Sequence, residues 1–114
     1  MKHNKEKYLL DILLSIQEIE KYIINVTSHN QIEENQMLFD ALCRRFSIIG
    51  EALYQANKID KNLVISYKEK IMSLRHIIVH DYDMVRSLDL YIIIQKNLNL
   101  LKQEVALIID NSIN

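Results

Sequence analysis

Apolar residues recur at steps of three and four along most of the chain, which is the period of an amphipathic helix. This pattern predicts four helices, at about residues 5–27, 32–57, 66–80 and 88–110. Polar residues interrupt the pattern between these segments, and Ser66 and Ser87 are the candidate N-caps of the last two helices. The pattern therefore predicts an all-α fold, an antiparallel four-helix up-down bundle.

Composition agrees with this prediction. The 114 residues include no Pro and a single Gly, whereas hairpins and barrels depend on Gly and Pro for their turns. The length suits one domain over residues 1–114. Gly50 lies inside the second predicted helix, where Gly is about 1 kcal/mol less favourable than Ala. We expect Gly50 to mark a close approach of two helices.

Cysteine content and charge bound the compartment and the partners. Cys43 is the only cysteine, so no internal disulfide can form, and a reducing compartment is indicated. The charged N-terminus and the absence of a long apolar run predict a cytoplasmic protein that is not bound to a membrane. The net charge is −1, so any contact with nucleic acid has to come from a local site.

The last predicted helix is apolar on more than one face, at Leu88, Tyr91, Ile92 and Leu107. One small bundle does not easily hide this surface, and we expect the chain to form a homodimer.

Candidate chemistry is concentrated between Arg75 and Tyr82, at the end of the third predicted helix. Arg75 and His80 are five residues apart and point about 140° apart on an ideal helix. Two arrangements could still bring them together. The helix could end between them and turn His80 back, or residues of two chains could converge across a twofold axis.

Cleavage of a phosphodiester without a metal fits these residue types. Histidine accepts and donates protons near neutral pH, and arginine grips phosphate oxygens. Attack by a 2′-hydroxyl needs both functions. The sequence specifies no cofactor.

Other interpretations of the same residues stay open. An arginine and a histidine near a helix end are often structural. His76 and His80 have the spacing of a metal-binding pair, with Asp81 and Asp83 nearby, but no third ligand is specified.

The tandem arginines of the second predicted helix also allow two interpretations. Arg44 and Arg45 form either a solvated pair or a phosphate grip, and the solvated pair is the more common arrangement.

The residues resemble a known family. Arg75, His80 and Tyr82 match the R-x4-H-x-Y signature of HepT-like toxins of the HEPN superfamily, and His76 fits the polar position after the arginine. The segment 41–53, with its Ile-Gly-Glu-Ala core, is similar to the second helix of that family.

The resemblance implies a metal-independent RNA endonuclease, the toxin of a type VII-like toxin–antitoxin pair. It implies a homodimer in which Arg75 and His80 of both subunits are catalytic and line one cleft. His76 would assist by orienting His80 or binding RNA, and Glu51 would position Arg75. The antitoxin would be a minimal nucleotidyltransferase that attaches AMP to Tyr82, beside the catalytic residues. The alternative is a catalytically silent helical dimer that serves as the accessory or substrate-binding partner of a nucleotidyltransferase.

Overall fold

The structure, a computed structural model, describes residues 4–113, with the backbone alone for 112 and 113. These residues form helices and no strand, which confirms the all-α prediction. The helices are α1 (Lys5–Tyr22), α2 (His29–Glu33), α3 (Gln36–Ile59), α4 (Lys68–His80), α5 (Ser87–Lys96) and α6 (Leu98–Ile113). A 3₁₀ turn at Tyr82–Met84 joins α4 to α5.

The long helices pack side by side in alternating directions. Helix α3 lies between α1 and α4, and α6 packs on the other side of α1. Lys5, at the start of α1, forms a 3.0 Å ion pair with Asp60, directly after the end of α3. Lys102, near the start of α6, forms a 3.0 Å ion pair with Glu20 near the end of α1. Each pair joins the start of one helix to the end of its neighbour, as an up-down arrangement requires.

The connection between the first two predicted helices is more structured than the hydrophobic pattern predicts. Helix α1 ends at Tyr22 rather than near residue 27, and the short helix α2 precedes α3. The backbone N–H of Ser28 donates to the Gln31 side chain at 3.2 Å, which fixes the start of α2. The Asn35 side chain accepts from the Leu38 N–H at 3.1 Å and begins α3. These caps start α2 and α3 at positions that the apolar period alone does not locate.

The helix predicted at 88–110 is divided in two at Asn97, which has non-helical backbone angles. This residue is 4% exposed, and its side-chain oxygen has no hydrogen-bond partner. The break lets α5 pack against α2 while α6 packs against α1. The predicted continuous helix is therefore wrong at this point, because tertiary packing overrides an unbroken apolar period.

The two predicted serine N-caps are also wrong. Tyr67 occupies the N-cap of α4, with a left-handed φ of 61°. The Ser66 hydroxyl instead donates to the carboxylate of Glu104 at 2.8 Å, linking the α3–α4 loop to α6. Arg86, not Ser87, is the N-cap of α5.

The core is apolar and centred on α3. Phe46, Leu42, Ile49 and Leu53 of this helix are fully buried, together with residues of α1, α4, α5 and α6. Cys43 is 3% exposed, as expected of a small core residue. None of the described helices combines the length and the apolar character that crossing a bilayer requires.

Gly50 lies at a close approach of α3 to α4, which confirms its predicted role. A Cβ added to Gly50 would overlap the Cβ of Arg75 and would lie 2.9 Å from the Arg75 Cγ. The carbonyl oxygen of Ile71 would be 3.4 Å away. The Cβ of Arg75 is fixed to the backbone of α4, so only a shift of the whole helix could make room.

We expect Gly50→Ala to destabilise the fold by about 1–2 kcal/mol. Overpacking costs about 1–3 kcal/mol, and the fixed Cβ of Arg75 puts this contact in the upper half of that range, from which the better helix propensity of Ala subtracts about 1 kcal/mol. Urea unfolding followed by circular dichroism measures the difference. Gln103→Ala, at an exposed position of α6, is the control and should not destabilise. A Gly50→Ala variant as stable as this control would contradict the close contact.

Candidate active site

Arg75 is anchored on α3 by packing and by charge. Its Cβ and Cγ lie against Gly50, and its Nη2 forms a 3.2 Å ion pair with Glu51 Oε2. The other carboxylate oxygen of Glu51 accepts from the Gln55 side chain at 3.0 Å. The Arg75 side chain is 34% exposed. The guanidinium is thus held at one edge by Glu51 and open to solvent at the other.

Helix α4 is continuous through His80. The N–H of Asp81 closes the last turn on the carbonyl of Ile77 at 2.7 Å. The arrangement in which the helix ends between Arg75 and His80 is therefore wrong. At about 100° per residue the two side chains leave the helix about 140° apart. Within one chain, Arg75 faces α3 while His80 faces solvent.

His76 and His80 form a pair on the outer face of α4. Both are exposed, and their ring centroids are 4.5 Å apart with an interplanar angle of 48°. Over the part of the chain that the structure describes, no group of three His, Cys, Asp or Glu side chains is placed to hold a metal ion. The predicted spacing of the two histidines is present, whereas Asp81 and Asp83 do not complete a metal site with them.

Tyr82 lies in the 3₁₀ turn and packs onto the first turns of α3. Its ring meets Phe39 edge to face, with centroids 5.6 Å apart. Its hydroxyl donates to Asp40 Oδ1, which also accepts from the Gln36 side chain at 2.9 Å. Sequence reasoning missed Asp40, because contacts between α3 and a residue forty positions away leave no periodic signal.

This environment favours the neutral phenol. Partial desolvation raises the pKa of Tyr82, and the hydrogen bond to the Asp40 carboxylate raises it further. Burial, followed by the charge of Asp40, raises the pKa of the Cys43 thiol to about 11. Cys43 is therefore an un-ionised core thiol rather than a reactive thiolate.

The Tyr82 hydroxyl is not beside Arg75 within one chain. The hydroxyl contacts Asp40, whereas the guanidinium contacts Glu51, eleven residues further along α3. At 1.5 Å per residue these contacts are about 16 Å apart along the helix axis. The expectation that Tyr82 lies next to Arg75 is thus wrong for the unmodified side chain.

A cavity of about 370 Å³ follows the outer face of α3 between α1 and α4. We call it the α3 groove, and its lining includes Lys7, Arg44, Ser47, Ile48, Arg75 and Val79. It places Arg75 in a concave surface that the sequence analysis did not identify. In the sequence, the groove is indicated only by the adjacent arginines Arg44 and Arg45. The structure gives these two side chains different surroundings, because Arg44 is exposed on the groove whereas Arg45 is partly buried.

Comparison with known proteins connects this geometry to a family. The family described as ribonuclease HepT-like matches residues 12–108, which include Arg75, His80 and Tyr82. The chain belongs to this family. The resemblance found in the sequence is thereby confirmed, and with it a HEPN-type helical fold.

A relative from Methanocaldococcus jannaschii, named "Putative RNase MJ1380", is 28% identical over 109 residues. The alignment covers 94% of this chain and 98% of the relative. No solved structure matches the chain. The signature residues of this HepT-like chain therefore have a defined arrangement. Arg75 is held by α3, and His80 pairs with His76 on the exposed face of α4.

Asp40→Ala should lower the pKa of Tyr82 toward the ordinary phenol value of 10.0. The pKa of Tyr82 should stay somewhat above this value, since the partial desolvation of its hydroxyl remains. Because the folded state holds this proton more tightly than the unfolded chain, stability should fall as pH rises above about 10, and less steeply in the variant. Tyrosine ring-carbon NMR, with Tyr82 assigned by Tyr82→Phe, follows the titration. A wild-type Tyr82 that titrates together with the other tyrosines would contradict the Asp40 contact.

Proposed function

We propose that this HepT-like ribonuclease cleaves RNA internally without a metal ion, and that it is the toxin of a toxin–antitoxin pair. The observation that carries the proposal is the anchoring of Arg75 on Gly50 and Glu51 beside an open groove. A guanidinium fixed in this way can bind a phosphate at a smaller cost in side-chain conformational entropy than a freely rotating arginine. The family match supports RNA as the substrate.

The cleavage step uses a proton acceptor and a fixed positive charge. His80 takes the proton from a 2′-hydroxyl, whose oxygen attacks the adjacent phosphorus, and the P–O5′ bond breaks. The departing 5′-oxygen receives a proton from the protonated imidazole of a second histidine in the site. Arg75 holds the phosphate and stabilises the charge that develops on its oxygens. The products are a 2′,3′-cyclic phosphate and a 5′-hydroxyl.

A homodimer supplies the complete site. Because α4 runs unbroken from Arg75 to His80, one chain presents these side chains in different directions. Across a twofold axis, Arg75 of one protomer and His80 of its partner can face one phosphate. His76, whose ring is 4.5 Å from that of His80, is placed to orient it or to contact RNA. Glu51 acts through Arg75 as a positioning residue.

Tyr82 is the proposed site of control. A minimal nucleotidyltransferase antitoxin would transfer AMP from ATP to its hydroxyl, forming the O–P bond and releasing pyrophosphate. The side chain is 40% exposed and can be reached. The phosphodiester takes the place of the hydroxyl proton that forms the hydrogen bond to Asp40. Its negative charge is repelled by the Asp40 carboxylate. We expect the modified side chain to leave Asp40.

His80→Ala should reduce RNA cleavage about 100-fold or more with the fold intact, because it removes the proton acceptor. The assay uses unmodified protein in EDTA and a labelled RNA, with the cyclic phosphate end detected in the product. His29→Ala, on α2, is the matched histidine control and should cleave at the wild-type rate. Retained cleavage by His80→Ala would remove His80 from the mechanism.

The same assay separates the roles of Arg75 and Glu51. Arg75→Ala should lower the cleavage rate about as much as His80→Ala does. Glu51→Gln should lower the rate less, since Arg75 keeps its packing on Gly50. If the wild-type dimer binds RNA but forms no product, the chain is a binding partner rather than a nuclease.

Incubation with ATP and a minimal nucleotidyltransferase of the proposed antitoxin type should add AMP to Tyr82 and stop cleavage. Intact mass and peptide mapping locate the addition. Tyr82→Phe should gain no AMP and should remain active in the presence of the antitoxin. Modification at another tyrosine, or undiminished cleavage after complete modification, would overturn this part of the proposal.

A further inference from the structure

The α3 groove has one positive charge more than its carboxylates neutralise. Lys7 is paired with Asp11 at 2.7 Å, and Arg75 is paired with Glu51 at 3.2 Å. Arg44 lines the same groove, is exposed, and has no carboxylate partner among the side chains that the structure describes. The chain as a whole carries a net charge of −1. The groove is therefore a local positive site on a chain that is not basic.

The carboxylate at helical spacing before Arg44 forms its hydrogen bonds with other residues. Asp40 lies one turn earlier on α3, at the spacing at which a carboxylate and an arginine usually pair. Its Oδ1 instead accepts from the Tyr82 hydroxyl and from the Gln36 amide. Asp40 and Arg44 form no ion pair in the structure, although their spacing would allow one.

The shape of the groove complements this charge. Ile48, Ala52 and Val79 give it an apolar wall, and Ser47 adds one hydroxyl. Its volume of about 370 Å³ lies in the lower part of the range for small-ligand sites, about 300–1,000 Å³. Arg44 lies seven residues before Glu51, which holds Arg75, so the two cations are about 10 Å apart along α3.

We infer that the α3 groove binds an unpaired nucleotide of the RNA next to the phosphate held by Arg75. The base lies against the apolar wall, and Arg44 contacts a neighbouring phosphate. A recess between helices admits a base that has left its stack, whereas a paired base in a duplex stays out of reach. This inference rests on the proposed ribonuclease function and names the part of the RNA that the site selects.

The test measures binding of a labelled unpaired oligoribonucleotide by fluorescence anisotropy at several salt concentrations. All variants are made in the His80→Ala chain, so that the RNA stays intact. Arg44→Ala should weaken binding severalfold at low salt. Loss of one phosphate contact should also reduce the slope of log affinity against log salt by about 0.7, the value for single strands.

Two further variants separate charge from shape. Lys96→Ala removes one exposed positive charge at the end of α5 and should leave both affinity and slope unchanged. Ser47→Phe fills the groove and should weaken binding of the unpaired RNA with little change in slope. It should not weaken binding of the same sequence as a duplex. Circular dichroism confirms that each variant is folded.

The outcomes are distinct. If Arg44→Ala keeps the wild-type affinity and salt slope while the chain binds RNA, the groove is not a nucleotide site and the ribonuclease proposal stands. If Arg44→Ala changes the oligomeric state in sedimentation velocity, the groove is a contact between copies of the chain, and the inference is wrong. If the unsubstituted chain neither binds nor cleaves RNA, the proposed function itself fails, and the inference fails with it.

Discussion

The contact between α3 and α4 at Gly50 determines where the candidate chemistry lies. Because residue 50 has no side chain, the Cβ of Arg75 packs directly against the backbone of α3. The next residue, Glu51, then lies within ion-pair distance of the guanidinium. A larger residue at position 50 would separate the helices and would move Arg75 away from both Glu51 and the groove. The absence of a side chain at residue 50 thus determines the spacing of α3 and α4, the position of Arg75 and the edge of the α3 groove.

The sequence predicts the elements that depend on local pattern and misses those that depend on distant contacts. Apolar period locates α1, α3 and α4, and the unfavourable glycine inside α3 indicates a close approach. The break at Asn97 has no such signal, because it arises from where α5 and α6 find partners. Ser66 has the residue type of a cap, yet its hydroxyl bonds Glu104 on α6, a contact that no local rule contains.

The same division holds for the candidate site. The spacing of Arg75, His80 and Tyr82, together with the Ile-Gly-Glu-Ala segment of α3, indicates the family, since both are local patterns. Their relative directions require the structure: α4 is continuous, so the two signature residues diverge, and the Tyr82 hydroxyl contacts Asp40 rather than the arginine. A single chain therefore holds the parts of the site without assembling them. This geometry is what makes a second protomer necessary to the proposed mechanism.

Asp40 links the proposed control of the enzyme to the proposed binding of its substrate. In the unmodified chain it accepts a hydrogen bond from the Tyr82 hydroxyl, and Arg44 has no carboxylate partner among the described side chains, which leaves it available to an RNA phosphate. Once AMP replaces the hydroxyl proton, the carboxylate repels the new phosphate and is itself free to pair with Arg44, one turn away. Because Arg44 lies one turn from Asp40, the displaced phosphate can also pair with it. Either pairing removes the groove's spare positive charge, so a modification about 16 Å from Arg75 along α3 can weaken the proposed RNA binding without contacting the arginine that is proposed to be catalytic.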